Sequence, residues 1–212
     1  MPLYKKEDFK DGGMLAIWKI TESEDELKVI ASSPTSEQED IEQVQAPQRR
    51  LESYAVRALL TEIFDERVYL GYEEDNSPYI KNTHHTISIS HSGEFVCIYV
   101  HENADVGIDV ESLSRNFDAV EKKMLSENER EYLVEKYRQV QLALIWSAKE
   151  AIYKLMAERN INFAEQMEIE KFIPYNDEGE LNATFVDAEG EEHELELSYQ
   201  IFDGYGMVWV AM

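Results

Sequence analysis

A helical period in the second half of the chain constrains the fold more than any other feature. Leu133, Tyr137, Val140, Leu144, Ile145, Ala148, Ile152 and Leu155 recur at three- and four-residue steps, the spacing that puts side chains on one face of a helix. The pattern predicts a long helix running to about Glu158, behind a capping-box sequence at Ser126-Glu-Asn-Glu129. An apolar stripe of this length has to be covered by other apolar surface. Residues 106–111, 194–199 and 207–210 alternate or run apolar in strand fashion, with a glycine-containing turn at Gly204-Tyr-Gly206. The first half has the same succession. Residues 14–20 read as a strand, and Leu51, Ala55, Ala58, Leu59 and Ile63 read as a helix starting after Pro47. Residues 86–90 and 95–100 read as a hairpin turning at Ser92-Gly93-Glu94. Residues 72–78 read as a turn, and an acidic, serine-rich passage follows the first strand up to about Gln45. The expected class is α+β, with two pseudo-symmetric subdomains at residues 1–104 and 105–212, each a long helix on a small antiparallel sheet.

Composition removes several function classes. The 212 residues carry 20 Lys plus Arg against 44 Asp plus Glu, a formal charge of −24. That balance opposes general binding to nucleic acid or to an anionic membrane. No apolar run approaches the roughly 20 residues needed to span a bilayer, and the N-terminal residues show no secretory apolar core. Cys97 is the sole cysteine, so a disulfide framework is excluded and its place in a strand suits a small buried hydrophobe. A cytoplasmic protein is expected. Thirteen of the 20 cations lie in residues 47–156, while residues 157–212 hold 14 acids and two cations. Any site that handles a phosphate is therefore expected in the middle of the chain, with the acidic end as a solvated face.

Three short segments carry chemistry. In Gly107-Ile-Asp-Val-Glu111 strand alternation puts Asp109 and Glu111 on one face. Adjacent carboxylates repel unless a cation separates them, and Mg²⁺ prefers a few carboxylates together with water and phosphate oxygens. A solvated edge strand would show the same pattern. In Trp146-Ser-Ala-Lys-Glu-Ala-Ile-Tyr-Lys154, helical spacing stacks Trp146, Glu150 and Lys154 in one row. Glu150 and Lys154 could form a surface ion pair, yet the tryptophan in the row suggests that part of this face is covered, as at a metal or phosphate site. In Ile89-Ser-His-Ser92, a histidine sits among small hydroxyl residues at a strand end, where an imidazole and backbone N–H groups can grip a phosphate. His84 and His85 lie in a polar turn without ligand spacing.

Together, Ser90-His-Ser92, Gly107-Ile-Asp-Val-Glu111 and Trp146-Ser-Ala-Lys-Glu-Ala-Ile-Tyr-Lys154 resemble the 4′-phosphopantetheinyl transferases. The length and the two-half organisation are similar to the longer, monomeric kind typified by the activator of surfactin synthetase. Arg49-Arg-Leu-Glu-Ser-Tyr-Ala-Val-Arg57 resembles the first helix of that group. The resemblance covers residues 47–156. It implies a holo-[acyl-carrier-protein] synthase activity, in which 4′-phosphopantetheine passes from coenzyme A to a serine of an apo acyl or peptidyl carrier protein. It implies Mg²⁺, with Mn²⁺ as an alternative, held by Asp109, Glu111 and Glu150. It implies Glu150 as the base for the carrier serine, with Lys154 and Lys149 on the pyrophosphate. Ser90 and His91 would lie at the nucleotide end, and Arg49 or Arg50 at the 3′-phosphate. Carrier docking is expected to use an apolar patch and a few local cations. Two motifs of the family differ here. Its Gly-Lys-Pro is replaced by Asn76-Ser-Pro78, and the turn after the second helix, Glu158-Arg-Asn-Ile161, has no glycine. A coenzyme A or carrier-binding module without turnover, and a metal-dependent phosphoester hydrolase, are the alternatives on the same residues.

Overall fold

A computed structural model describes residues 3–64, 66–158 and 160–212; Met1, Pro2, Asp65 and Arg159, the last within the glycine-free turn, lie outside the described residues. The chain is α+β with antiparallel sheets, and it divides into two compact units, Met1–Asn103 and Ala104–Met212.

The N-terminal unit has strands β1 (Leu3–Asp8) and β2 (Gly13–Lys19), helices α1 (Glu24–Ala31), α2 (Thr35–Glu42) and α3 (Pro47–Ile63), a short ladder of β3 (Leu70–Tyr72) with β4 (Pro78–Ile80), and the hairpin β5 (Thr86–Ser92) with β6 (Phe95–His101). Its four-stranded sheet runs β1-β2-β6-β5. The hairpin and α3 appear where periodicity predicted them. Helices α1 and α2 occupy the acidic, serine-rich passage, where no element was expected. Ser23 caps α1 by accepting from Glu26 N while Glu26 returns to the Ser23 backbone, so the acidic residues there are a first helical turn. Tyr54, Ala55, Ala58 and Leu59 of α3 are fully buried in a core with Trp18, Leu27, Val96 and Ile98.

The C-terminal unit begins with β7 (Val106–Ser112) and continues through the short helices α4 (Glu121–Met124) and α5 (Glu127–Tyr132), the long helix α6 (Arg138–Met156), α7 (Phe163–Gln166), and strands β8 (Met167–Ile169), β9 (Glu178–Val186), β10 (Glu192–Phe202) and β11 (Tyr205–Ala211). The five strands run β7-β11-β10-β9-β8, and α6 lies against β7 and β11. Ala143, Leu144, Ala148, Ala151 and Ile152 of α6 are fully buried against Ile169, Leu197 and Val208.

The single helix expected across this region is broken before Arg138. The chain leaves α5 at Leu133 and makes one 3₁₀ turn, Glu135–Tyr137. The buried Gln141 side chain fixes the break, accepting from Val134 N at 2.8 Å and donating to Phe172 O at 2.9 Å. At its other end α6 stops at Ala157, which sits at φ +51° with its N–H on Tyr153 O. A left-handed conformation costs an L-residue with a Cβ about 1–2 kcal/mol, so the missing glycine leaves a strained cap. Ala157→Gly is expected to raise unfolding stability by about 1 kcal/mol, read from urea denaturation.

Candidate active site

Gly107 lets β7 approach α6 closely. A Cβ built on Gly107 would lie 1.9 Å from Ala151 O and 2.8 Å from Ala151 C. Hence strand and helix backbones meet at Gly107 and Ala151. Two and four residues further along the same strand face come Asp109 and Glu111, and one and three residues away on the helix come Glu150 and Lys154. The other face of β7 carries Ile108 and Val110, both buried.

The charges that result are tightly organised. Lys154 Nζ donates to Asp109 Oδ1 at 2.9 Å and to Ile108 O at 2.8 Å. Asp109 is 8 % exposed. Glu111 pairs with Arg115, whose guanidinium stacks on the Trp146 ring at 4.4 Å. Trp146 is half-buried, with Arg115 over its ring. The lysine, however, spans to the strand and the alternative of a Glu150–Lys154 surface pair is not what forms. Burial pushes the Glu150 carboxyl above its ordinary range, and the Asp109 charge pushes it the same way; Lys154 and Arg115 oppose both, and Glu111 adds a smaller upward push. A cation among these acids would relieve that repulsion.

The donor set of Asp109, Glu111 and Glu150 fits a hard divalent cation, which takes carboxylate oxygens. Here Lys154 and Arg115 hold two of those carboxylates. Among the described residues, the acids whose oxygens lie within 4.8 Å of one another are Glu158, Asp187 and Glu189. In that second cluster Asp187 already accepts from Glu189 N, Glu191 N and His193.

Lys149 lies elsewhere. Its side chain is fully buried and Nζ faces Met124 O, Glu129 Oε2, Phe163 O and Met167 O at 2.7–3.0 Å. Its place is in the interior of the unit, with every proton taken by protein oxygens, so this arrangement leaves it nothing to offer a pyrophosphate. Arg115, which pairs with Glu111, and Glu129, which holds Lys149 in the interior, are partners that the sequence did not show: Glu129 was visible only as the last residue of a capping box, and Arg115 gave no signal.

The N-terminal unit holds a separate pocket of about 180 Å³, lined among others by Arg49, Glu52, Tyr72, Asn76 and His91. His91 Nε2 accepts from Arg49 Nη1 at 2.7 Å, and Glu52 Oε2 accepts from the same guanidinium at 3.2 Å. Arg49 and His91 are therefore brought together. Arg50 and Ser90 are not part of this group. Arg50 ties α3 to α1 through Glu24 at 2.8 Å and to Val44 O at 2.9 Å. Ser90 is buried on β5, on the opposite face from His91.

No curated protein matches the chain. One family model does, over the segment that holds β7, α6, Asp109, Glu111, Glu150 and Lys154. Residues 105–201 match the 4′-phosphopantetheinyl transferase superfamily.

Proposed function

We propose that this protein transfers 4′-phosphopantetheine from coenzyme A to a serine of an apo acyl or peptidyl carrier protein, releasing adenosine 3′,5′-bisphosphate. The observation that supports the reading is the close approach of β7 and α6 at Gly107, with Lys154 of α6 bonded to Asp109 of β7, inside the segment that matches the family. Asp109, Glu111 and Glu150 would hold Mg²⁺ or Mn²⁺; when bound, such an ion neutralises charge on phosphate oxygens.

The remaining chemistry belongs to the side chains. The carrier serine Oγ forms the new bond to the phosphorus that bears pantetheine. The bond from that phosphorus to the bridging oxygen breaks, and the bisphosphate leaves with the electron pair. Glu150 takes the serine proton. Lys154, held by Asp109 and Ile108 O, offers its positive charge to the pyrophosphate. Arg49, with His91 beside it, supplies the cation for the 3′-phosphate.

The test is transfer itself. Purified protein, coenzyme A and Mg²⁺ are expected to add one phosphopantetheine mass to an apo carrier protein. Absence of the added mass with a panel of acyl and peptidyl carriers overturns the proposal. Coenzyme A binding without turnover points to a binding module, and hydrolysis without a carrier points to a phosphoesterase. Within the proposal, Arg49→Ala is expected to raise KM for coenzyme A about tenfold and to leave kcat within about twofold. Removal of Glu150 is expected to cost about 10²- to 10⁴-fold in kcat, measured by the same assay.

A further inference from the structure

Lys149 is a fully buried lysine that the proposed chemistry does not use. Its four oxygen partners come from separate segments: Met124 O ends α4, Glu129 lies on α5, Phe163 O opens α7, and Met167 O starts β8. Glu129 is held in turn. Its Oε2 also accepts from Ser126 N at 2.7 Å, and its Oε1 accepts from Ile169 N at 2.8 Å. One ammonium and one carboxylate thus gather α4, α5, α7 and β8 onto α6. Burial pulls the lysine's affinity for its proton down, and the Glu129 charge opposes that pull. A compact ammonium suits such a set of converging carbonyl oxygens, where a planar guanidinium would not fit.

Two of the gathered segments bound an open groove of about 640 Å³ beside the site. One wall includes Lys122, Lys123 and Met124, and the other includes Asn162 and Phe163, with Trp146 and Glu150 of α6 between them. Lys149 bonds to the backbone of both walls, at Met124 and at Phe163. Its neighbour in sequence, Glu150, opens into the groove. We propose that Lys149 is a positioning residue: its buried ammonium fixes both walls of this groove against α6, and through them the environment from which Glu150 acts. The statement rests on the transfer reading for the role of Glu150, while the tie between the walls stands without it.

Lys149→Met and Glu129→Gln are measured side by side, the second because it keeps the lysine and nearly the same volume. Lys149→Met is expected to lower Tm by roughly 10 °C, so kinetics are read well below that temperature, where circular dichroism shows the variant folded. Both variants are expected to lower kcat at least about tenfold while the dissociation constant for coenzyme A stays within about twofold. Coenzyme A binding weakened tenfold by Lys149→Met alone overturns the proposal in favour of a direct phosphate contact. Unchanged kcat per folded molecule in both variants overturns it in favour of a purely structural lysine. Hydrogen exchange supplies the readout that needs no activity. In Glu129→Gln, protection is expected to fall at residues 122–125 and 163–169 and to persist in β10 and β11; unchanged protection at both walls overturns the tie. If the wild-type protein transfers nothing, the transfer reading fails and the exchange result alone judges the tie.

Discussion

Gly107→Ala is expected to destabilise the C-terminal unit by about 3 kcal/mol or more, at or beyond the upper end of the usual cost of overpacking. The added methyl would sit 1.9 Å from the Ala151 carbonyl oxygen, with the Leu155 Cβ at 3.2 Å on its far side. Both Ala151 atoms that it meets belong to the helix backbone. No rotamer change relieves such a clash, so β7 or α6 has to move. Either movement carries Asp109 and Glu111 away from Glu150 and Lys154, and transfer should fall together with stability. In urea the midpoint is expected to drop by about 1–1.5 M. A midpoint within about 0.3 M of the wild type would show that strand and helix do not need this close approach.

Asp109→Ala separates chemistry from stability in the opposite sense. The substitution removes one carboxylate from the proposed cation site and leaves Lys154 with Ile108 O as its partner. The ion pair is 28 % exposed on the lysine side and 11 % on the aspartate side, and the lysine keeps Ile108 O, so its loss is expected to cost about 1–3 kcal/mol of folding stability. Transfer is expected to fall about 10³-fold, corresponding to about 4 kcal/mol of lost transition-state stabilisation. Calorimetric titration with Mg²⁺ should lose its heat signal in the same variant. A variant retaining more than about a tenth of the wild-type rate would remove Asp109 from the ligand set.

Local patterns were legible wherever a side chain's spacing matched its packing. The alternation in Val106–Ser112 and the row of Trp146, Glu150 and Lys154 were read directly, because each reports which face a side chain takes. The Ser126–Glu129 cap was equally plain, and both of its hydrogen bonds form. Strand β1 escaped because Leu-Tyr-Lys-Lys-Glu-Asp alternates between half-buried and exposed residues, an amphipathic ribbon with little apolar contrast. The first helices escaped for a related reason: acids that stabilise a helix start also look like a solvated linker. The break before α6 depends on Gln141 reaching Phe172, a partner 31 residues away that no local pattern encodes. Lys149 is the sharpest case. Lysine in sequence reads as surface or as a phosphate contact, and only tertiary placement reveals four oxygens waiting for it in the interior.

The strand order β7-β11-β10-β9-β8 has a consequence in time. Val106–Ser112 pairs along its length with Tyr205–Ala211, matching Asp109 with Val208 and Glu111 with Gly206. On a ribosome, β7 emerges roughly a hundred residues before the strand it needs. At about 5–20 residues per second it spends several seconds with that ladder edge open. Such a high-separation pairing is slow to close even after synthesis. The strand that brings two of the acids is therefore among the last parts of the unit to be secured, and until then it is an exposed, mostly apolar edge of the kind that chaperones or aggregation capture.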